Sequence, residues 1–230
     1  MGEDVRGVSV VVAVRDGERY LGEALESILG QSTPPGEVVV VDDGSTDATG
    51  AVLERFASRV RVVRQEPIGV AAALNRGIGA SARELLAFLD ADDVWPPRSL
   101  EARLVRLGAA DRPDAVFGRL VQFLSPDVDP TDARTVRFDP SPAPAMMFQT
   151  MLIRRAAFKR VGPLATEYVI GANIDWVSRA QAISISTAQI DDVVAMRRIH
   201  TTNLGRTARE RETVDLVRAV RAHRRRHLAT

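Results

Sequence analysis

The stretch VVVVDDGSTD, Val38 to Asp47, sets the reading of this chain. Four consecutive valines have the β-branched, unbroken apolar character of a strand covered on both faces. Asp42-Asp43-Gly44 ends it with turn chemistry. Ser45, Thr46 and Asp47 then supply good caps for a helix running to Phe56. Working outward, Val8 to Val14 reads as a similar strand, and Tyr20 to Leu29 places Leu21, Ala24, Leu25, Ile28 and Leu29 at helical spacing. Downstream follow a strand at Val60 to Val63, a helix at Val70 to Ala80 and a strand at Leu85 to Leu89. Strands alternating with helices of this length predict an α/β fold: a mostly parallel central sheet with helices on both faces. Ligands of such sheets bind beyond the carboxyl ends of the strands. Three of the four strand ends carry carboxylates there: Arg15-Asp16-Gly17-Glu18, Asp42-Asp43 and Asp90-Ala91-Asp92-Asp93.

Beyond Leu107 the pattern is less regular. Val116-Phe117 and Leu120 to Leu124 suggest two short strands, Ser125 to Pro144 a long surface loop, and Met146 to Ile153 a strand. Helices are expected over Arg154 to Val161 and Ile174 to Ile183, a strand over Val193 to Ile199, and a last helix from about Arg209 to Arg226. The expected organisation is a ligand-binding half at 1–110, a second half of the same domain at 111–205 with a small fused lobe, and a basic C-terminal helix at 206–230.

With 230 residues, 45% of them hydrophobic, the chain can bury one substantial core. A formal net charge of +1 argues against a general nucleic-acid binder. The absence of cysteine excludes disulfides, thiolate metal sites and cysteine nucleophiles. No run approaches the roughly 18–20 apolar residues of a membrane span. Met1-Gly2-Glu3-Asp4 leads straight into a strand-like run, so the cytoplasm is the expected location. Arg221, Arg224, Arg225 and Arg226 read as a solvated helix face, or as a contact with anionic lipid or a second subunit.

The acidic strand ends suit a hard cation. Mg2+ or Mn2+ takes oxygen ligands and shares its shell between one or two carboxylates, water and phosphate. Asp90 and Asp92 could set two carboxylates beside a diphosphate, although an isolated D-x-D is common in surface turns. The loop after the first strand is too acidic to grip a triphosphate as a nucleotidyltransferase does. No G-x-G-x-x-G follows that strand, which argues against a dinucleotide-dependent dehydrogenase.

Four segments together, VSVVVAVRDGERYL (Val8 to Leu21), VVVVDDGSTD, GVAAALNRGI (Gly69 to Ile78) and LLAFLDADDVWPP (Leu85 to Pro97), resemble the family-2 glycosyltransferases of the GT-A fold in order and spacing. Weaker likeness continues through LIRRAAFKRVG (Leu152 to Gly162), DWVSRA (Asp175 to Ala180) and RRIHTTN (Arg197 to Asn203). The resemblance implies an inverting, metal-assisted sugar transfer from a nucleoside-diphosphate donor, usually a UDP-sugar. The acceptor, whether saccharide, lipid-linked sugar, peptide or small metabolite, stays open. By position, the resemblance assigns Asp43 to the base, with Asp16 and Glu18 near the same end and Ala13 and Arg15 in the first motif. Asp90 goes to the ribose, with Ala91 beside it, and Asp92 to the metal, with Asp90 and His200 as further ligands. Asn75 and Arg76 approach the nucleotide or donor sugar. Arg197 or Arg198 steadies phosphate, strand alternation allowing only one of them to face the site.

An inverting transfer also needs a base, which in this family lies near the start of a helix in the acceptor lobe. Relatives commonly carry acids at the places of Ala172 or Asn173, leaving Asp175 as the nominee; its other reading is an aspartate offsetting the helix dipole. Trp95 is expected either to stack on the acceptor or to pack. The departures at Ala172, Asn173 and Ala13-Val14-Arg15-Asp16 raise a second reading, a catalytically degenerate module that binds a sugar nucleotide or a partner without turnover.

Overall fold

The computed structural model describes residues 7–129, 138–168 and 171–203. The helix expected over 206–230, with its lipid or subunit contacts, lies outside the described residues. The elements run β1 (Val8–Val14), α1 (Leu21–Leu29), β2 (Glu37–Asp42), α2 (Thr49–Arg55), β3 (Arg61–Arg64), α3 (Val70–Ala80), β4 (Leu85–Phe88), α4 (Ser99–Leu107), β5 (Ala115–Leu124), β6 (Ala143–Pro144), a 3-10 turn (Phe148–Thr150), β7 (Leu152–Arg154), α5 (Arg155–Val161), α6 (Ala172–Ala182) and β8 (Thr187–Ile199).

One eight-stranded sheet carries them all, in the order β3-β2-β1-β4-β7-β5-β6, with β8 on the other edge of β5. β1, β2, β3 and β4 pair in parallel, as do β5 and β8, while β7 runs antiparallel between β4 and β5. The sheet is therefore continuous through the halves expected at 1–110 and 111–205.

Strand alternation divides the core in two. Val8, Val10, Val12 and Val14 of β1 face the apolar sides of α1, α2 and α4. Val11 faces α3, α5 and α6, with Val39 and Val41 against α3 beside it. Helices thus cover both faces, and the four-valine run of β2 is buried throughout. α3 lies so close to the sheet that a Cβ at Gly77 would come within 2.4 Å of Val11 Cγ1.

The observed elements depart from the expected ones at several points from α4 onward. α4 was not anticipated, although Leu100, Leu104 and Leu107 form its buried stripe. The two short strands expected at Val116-Phe117 and Leu120 to Leu124 are one strand, β5, whose register against β8 shifts between Phe117 and Leu120. Gly118 lies in that irregularity, where a Cβ would collide with Val194. The strand expected over Met146 to Ile153 divides into the 3-10 turn and β7. Its apolar residues are buried by the turn's contacts with β4, β5 and β8, a tertiary cause that periodicity does not record.

Candidate active site

The acidic loop begins two residues after β4 and is stitched to β8. Val94 and Met196 exchange backbone hydrogen bonds of 3.0 and 2.8 Å. The Arg198 backbone N–H donates to Asp93 Oδ1 at 2.9 Å. Trp95, next along the loop, is buried: its Nε1 donates to the Gln149 carbonyl and its ring lies 4.3 Å from the Arg103 guanidinium carbon. Of its two expected roles, packing is the one observed.

One carboxylate oxygen from each of Asp90, Asp92 and Asp93 lies within 4.8 Å of the other two. Gln149 Nε2 donates to Asp90 Oδ2 at 2.7 Å. The enclosing protein, and after it the Asp92 charge, push Asp90 up to about 7, with Arg197 opposing, although the side chain stays open to solvent. Burial and the two neighbouring carboxylates hold Asp93 well above the usual range. Asp93 Oδ2 is buried with no hydrogen-bond partner among the described residues. That orphaned oxygen and two converging carboxylates form a hard-oxygen set that fits Mg2+ or Mn2+. Asp93 was not nominated from sequence, although it belongs to the same acidic run.

Asp92 is the best-oriented member. Its Oδ2 accepts from Asn203 Nδ2 at 3.1 Å and meets His200 Nε2 at 2.9 Å. His200 Nδ1 faces Thr202 Oγ1 at 2.9 Å, so both ring nitrogens are engaged. Of the expected metal set of Asp90, Asp92 and His200, the two aspartates converge with Asp93, and His200 meets the Asp92 carboxylate through Nε2. Asn203 is a site residue that sequence reasoning missed, although it closes the RRIHTTN run.

Arg197 and Arg198 divide as alternation requires. Arg197 lies near enough to lower both Asp90 and Asp93. Arg198 is buried, donates to the Asp92 carbonyl oxygen at 3.0 Å and pairs with Glu23. These contacts brace the acidic loop against β8 and α1.

At the β1 and β2 ends most expected ligands are held by neighbouring loops. Asp16 has a left-handed backbone (φ 51°) and accepts from the Thr46 N–H at 2.8 Å. Glu18 accepts from the Ala48 N–H at 2.9 Å, and Asp47 Oδ2 accepts from the Glu18 N–H at 3.0 Å. These bonds lock the two loops together and satisfy free N–H groups ahead of α2. Asp43 is buried, accepting from Gln65 Nε2 (2.7 Å), the Ile68 N–H (2.9 Å) and the Gly69 N–H (2.9 Å) at the entrance to α3. Asp42 Oδ1 accepts from the Ser45 N–H at 2.9 Å. Asn75 spends its amide on Leu164, donating to the carbonyl and accepting from the N–H, both at 2.9 Å. Arg15 and Arg76 are exposed, while Ala13 and Ala91 are half-buried.

Asp175 is not brought to the acidic cluster. It is buried, and Arg179 Nε donates to its Oδ2 at 2.8 Å. Arg179 also donates to the carbonyls of Val161 and Pro163, at and just beyond the end of α5, both at 2.7 Å. This network ties α6 to α5 and holds the nominated base, Asp175, in a buried ion pair. Asn173 of α6 accepts on Oδ1 from the Phe148 N–H at 3.0 Å, one residue before Gln149.

No helix among the described residues is long and apolar enough to cross a membrane. The chain matches the family model for glycosyl transferase family 2 over residues 9–162. An uncharacterized glycosyltransferase of Nostoc sp. is 39% identical over 98 residues, 41% of this chain and 30% of that protein. Glycosyltransferase GlyG of Streptococcus pneumoniae is 36% identical over 120 residues, 50% of this chain and 40% of that protein. The match thus spans less than half the length of either relative. Among solved structures, residues 1–349 of Staphylococcus aureus TarS in complex with UDP align with a TM-score of 0.69 at 18% identity, covering 94% of this chain and 64% of that one. The Pyrobaculum calidifontis mannosyltransferase PcManGT, in complex with GDP-Man and Mn2+, aligns with a TM-score of 0.70 at 22% identity and the same coverages, 94% and 64%. The sheet order, the acidic loop after β4 and the family match over two thirds of the chain lead to one conclusion: this chain belongs to glycosyl transferase family 2.

Proposed function

We propose that the chain transfers a sugar, with inversion, from a nucleoside-diphosphate donor, a UDP-sugar first among the candidates, to an acceptor hydroxyl. The observation that carries the proposal is the convergence of Asp90, Asp92 and Asp93 at the carboxyl end of β4, with Asp93 Oδ2 left without a partner. Asp90, Asp92 and Asp93 would hold a Mn2+ or Mg2+ ion. When bound, such an ion neutralises charge on the departing diphosphate. His200 and Asn203 keep Asp92 oriented, as supporting groups behind a ligand do. Arg197 stands beside the acidic groups as a cation for phosphate oxygens. Asp43 keeps spare acceptor capacity on Oδ2 for a base N–H, because a carboxylate has about four lone-pair sites and three are engaged. UDP bound to TarS and GDP-Man with Mn2+ bound to PcManGT support this class of donor.

The test is turnover of a panel of UDP-, dTDP- and GDP-sugars, by transfer or slow hydrolysis, with and without Mn2+. Metal-dependent turnover that Asp92→Ala abolishes is expected. Turnover that ignores both the metal and Asp92 would overturn the proposal.

A second reading, donor binding without turnover, is favoured by one observation: the carboxylate nominated as base is buried in an ion pair, and Asn173 offers only an amide. Tight UDP binding with no turnover of any donor would favour it.

A further inference from the structure

We infer that Tyr20, which immediately precedes α1, is a positioning residue that acts through His200 on the Asp92 carboxylate; this rests on the reading of Asp92 as a cation ligand. The rings of Tyr20 and His200 have centroids 4.7 Å apart and planes tilted by 40°. The Tyr20 hydroxyl donates to Asp127, 2.9 Å from Oδ2 and 3.2 Å from Oδ1, and Arg19 pairs with the same carboxylate. The Arg198 guanidinium carbon lies 4.8 Å from the centre of the Tyr20 ring. The Arg19 guanidinium carbon lies 5.5 Å from the same centre, so Tyr20 is held at its hydroxyl and by three ring contacts, by groups from α1's entrance, the β5 exit, β8 and the residues just after it.

His200 needs that support. Its two hydrogen bonds, to Thr202 and Asp92, are made by the ring nitrogens, whose N–H and lone pair both point along the imidazole plane. In-plane bonds fix where the nitrogens point but resist out-of-plane rocking poorly, because hydrogen-bond energy falls slowly with small angular error. An aromatic face packed on the ring opposes that rocking and excludes water from one side. Asp92 then presents its carboxylate in one orientation, the condition for tight ion binding. The hydroxyl bond to Asp127 secures the ring from the far end, so the first residues after β5 are joined mechanically to the acidic loop.

The test titrates the full chain with Mn2+ alone, read by electron paramagnetic resonance of the free ion. Tyr20→Leu is expected to weaken Mn2+ binding about tenfold, the lower end of what losing a supporting group costs a metal site. Tyr20→Phe, which keeps the ring, is expected to stay within about threefold of the parent. In a His200→Ala background Tyr20→Leu should add no further loss, the non-additivity of residues acting through one another. Should Tyr20→Leu not fold, Tyr20→Met, unbranched and flexible, carries the same expectation. Mn2+ binding unchanged in the aliphatic variant, or losses that simply add in the double variant, would overturn the inference while leaving the metal reading intact. An unsubstituted protein that binds Mn2+ no better than Asp92→Ala would instead remove the functional reading, and the inference with it.

Discussion

Replacing Asp43 by asparagine separates two accounts of the most prominent carboxylate in the chain. The ionised side chain accepts from Gln65 Nε2 and the Ile68 N–H on Oδ1, and from the Gly69 N–H on Oδ2. An amide oxygen in the Oδ1 position can still serve the first two donors, without charge. The amide nitrogen must then face the Gly69 N–H, donor against donor, at a buried site beside the start of α3. Hydrogen bonds to charged groups contribute about 1.5–3 kcal/mol each, and one is lost while two weaken. The helix also loses a favourable negative charge at its N-terminus, about 0.3–1 kcal/mol. A loss of about 3 kcal/mol follows, which for a domain of this size lowers Tm by about 6–12 °C. Thermal and urea unfolding of the two proteins in nucleotide-free buffer measure it directly. An Asp43→Asn protein that melts with its parent but no longer binds UDP would refute the capping argument and make base recognition the residue's whole role.

Two further outcomes follow from the same geometry. Asp90 is pushed up to about 7 and Asp93 is held well above the usual range, so a cation must displace their protons and Mn2+ affinity should fall as pH drops from 8 to 6. Titrations with Mn2+ at pH 6, 7 and 8 test this, and Asp90→Asn should flatten the dependence; a flat profile in the parent would contradict it. Asp175→Asn should cost about 1–3 kcal/mol of stability by weakening the Arg179 network, with UDP affinity unchanged. Transfer lost at unchanged Tm would restore Asp175 as the base.

Much of the first half is legible without coordinates, because its signals are local. A four-valine run, an apolar helical stripe and an Asp-Asp-Gly turn each declare themselves within ten residues. The second half resists for a physical reason: its elements are buried by distant partners. The Phe148–Thr150 turn is apolar because it fits between β4, β5 and β8, and the β5 irregularity exists because Gly118 meets Val194. Neither pattern repeats with a period.

By itself, the sequence determined the α/β alternation, the edge of the sheet where carboxylates gather, and Asp90 and Asp92 as members of the acidic cluster. Only the tertiary structure decided how each carboxylate is employed. Asp16, Glu18, Asp43 and Asp175 look alike in sequence to Asp90 and Asp92, and all six are engaged by groups distant in the chain or by Arg179, but Asp90 and Asp92 converge with Asp93. Asp93 is set apart by the opposite property, a buried oxygen without a donor. A carboxylate's role depends on which donors reach it. Those donors lie up to 111 residues away in the chain, from Asp92 to Asn203, so only the folded arrangement brings them within hydrogen-bonding range.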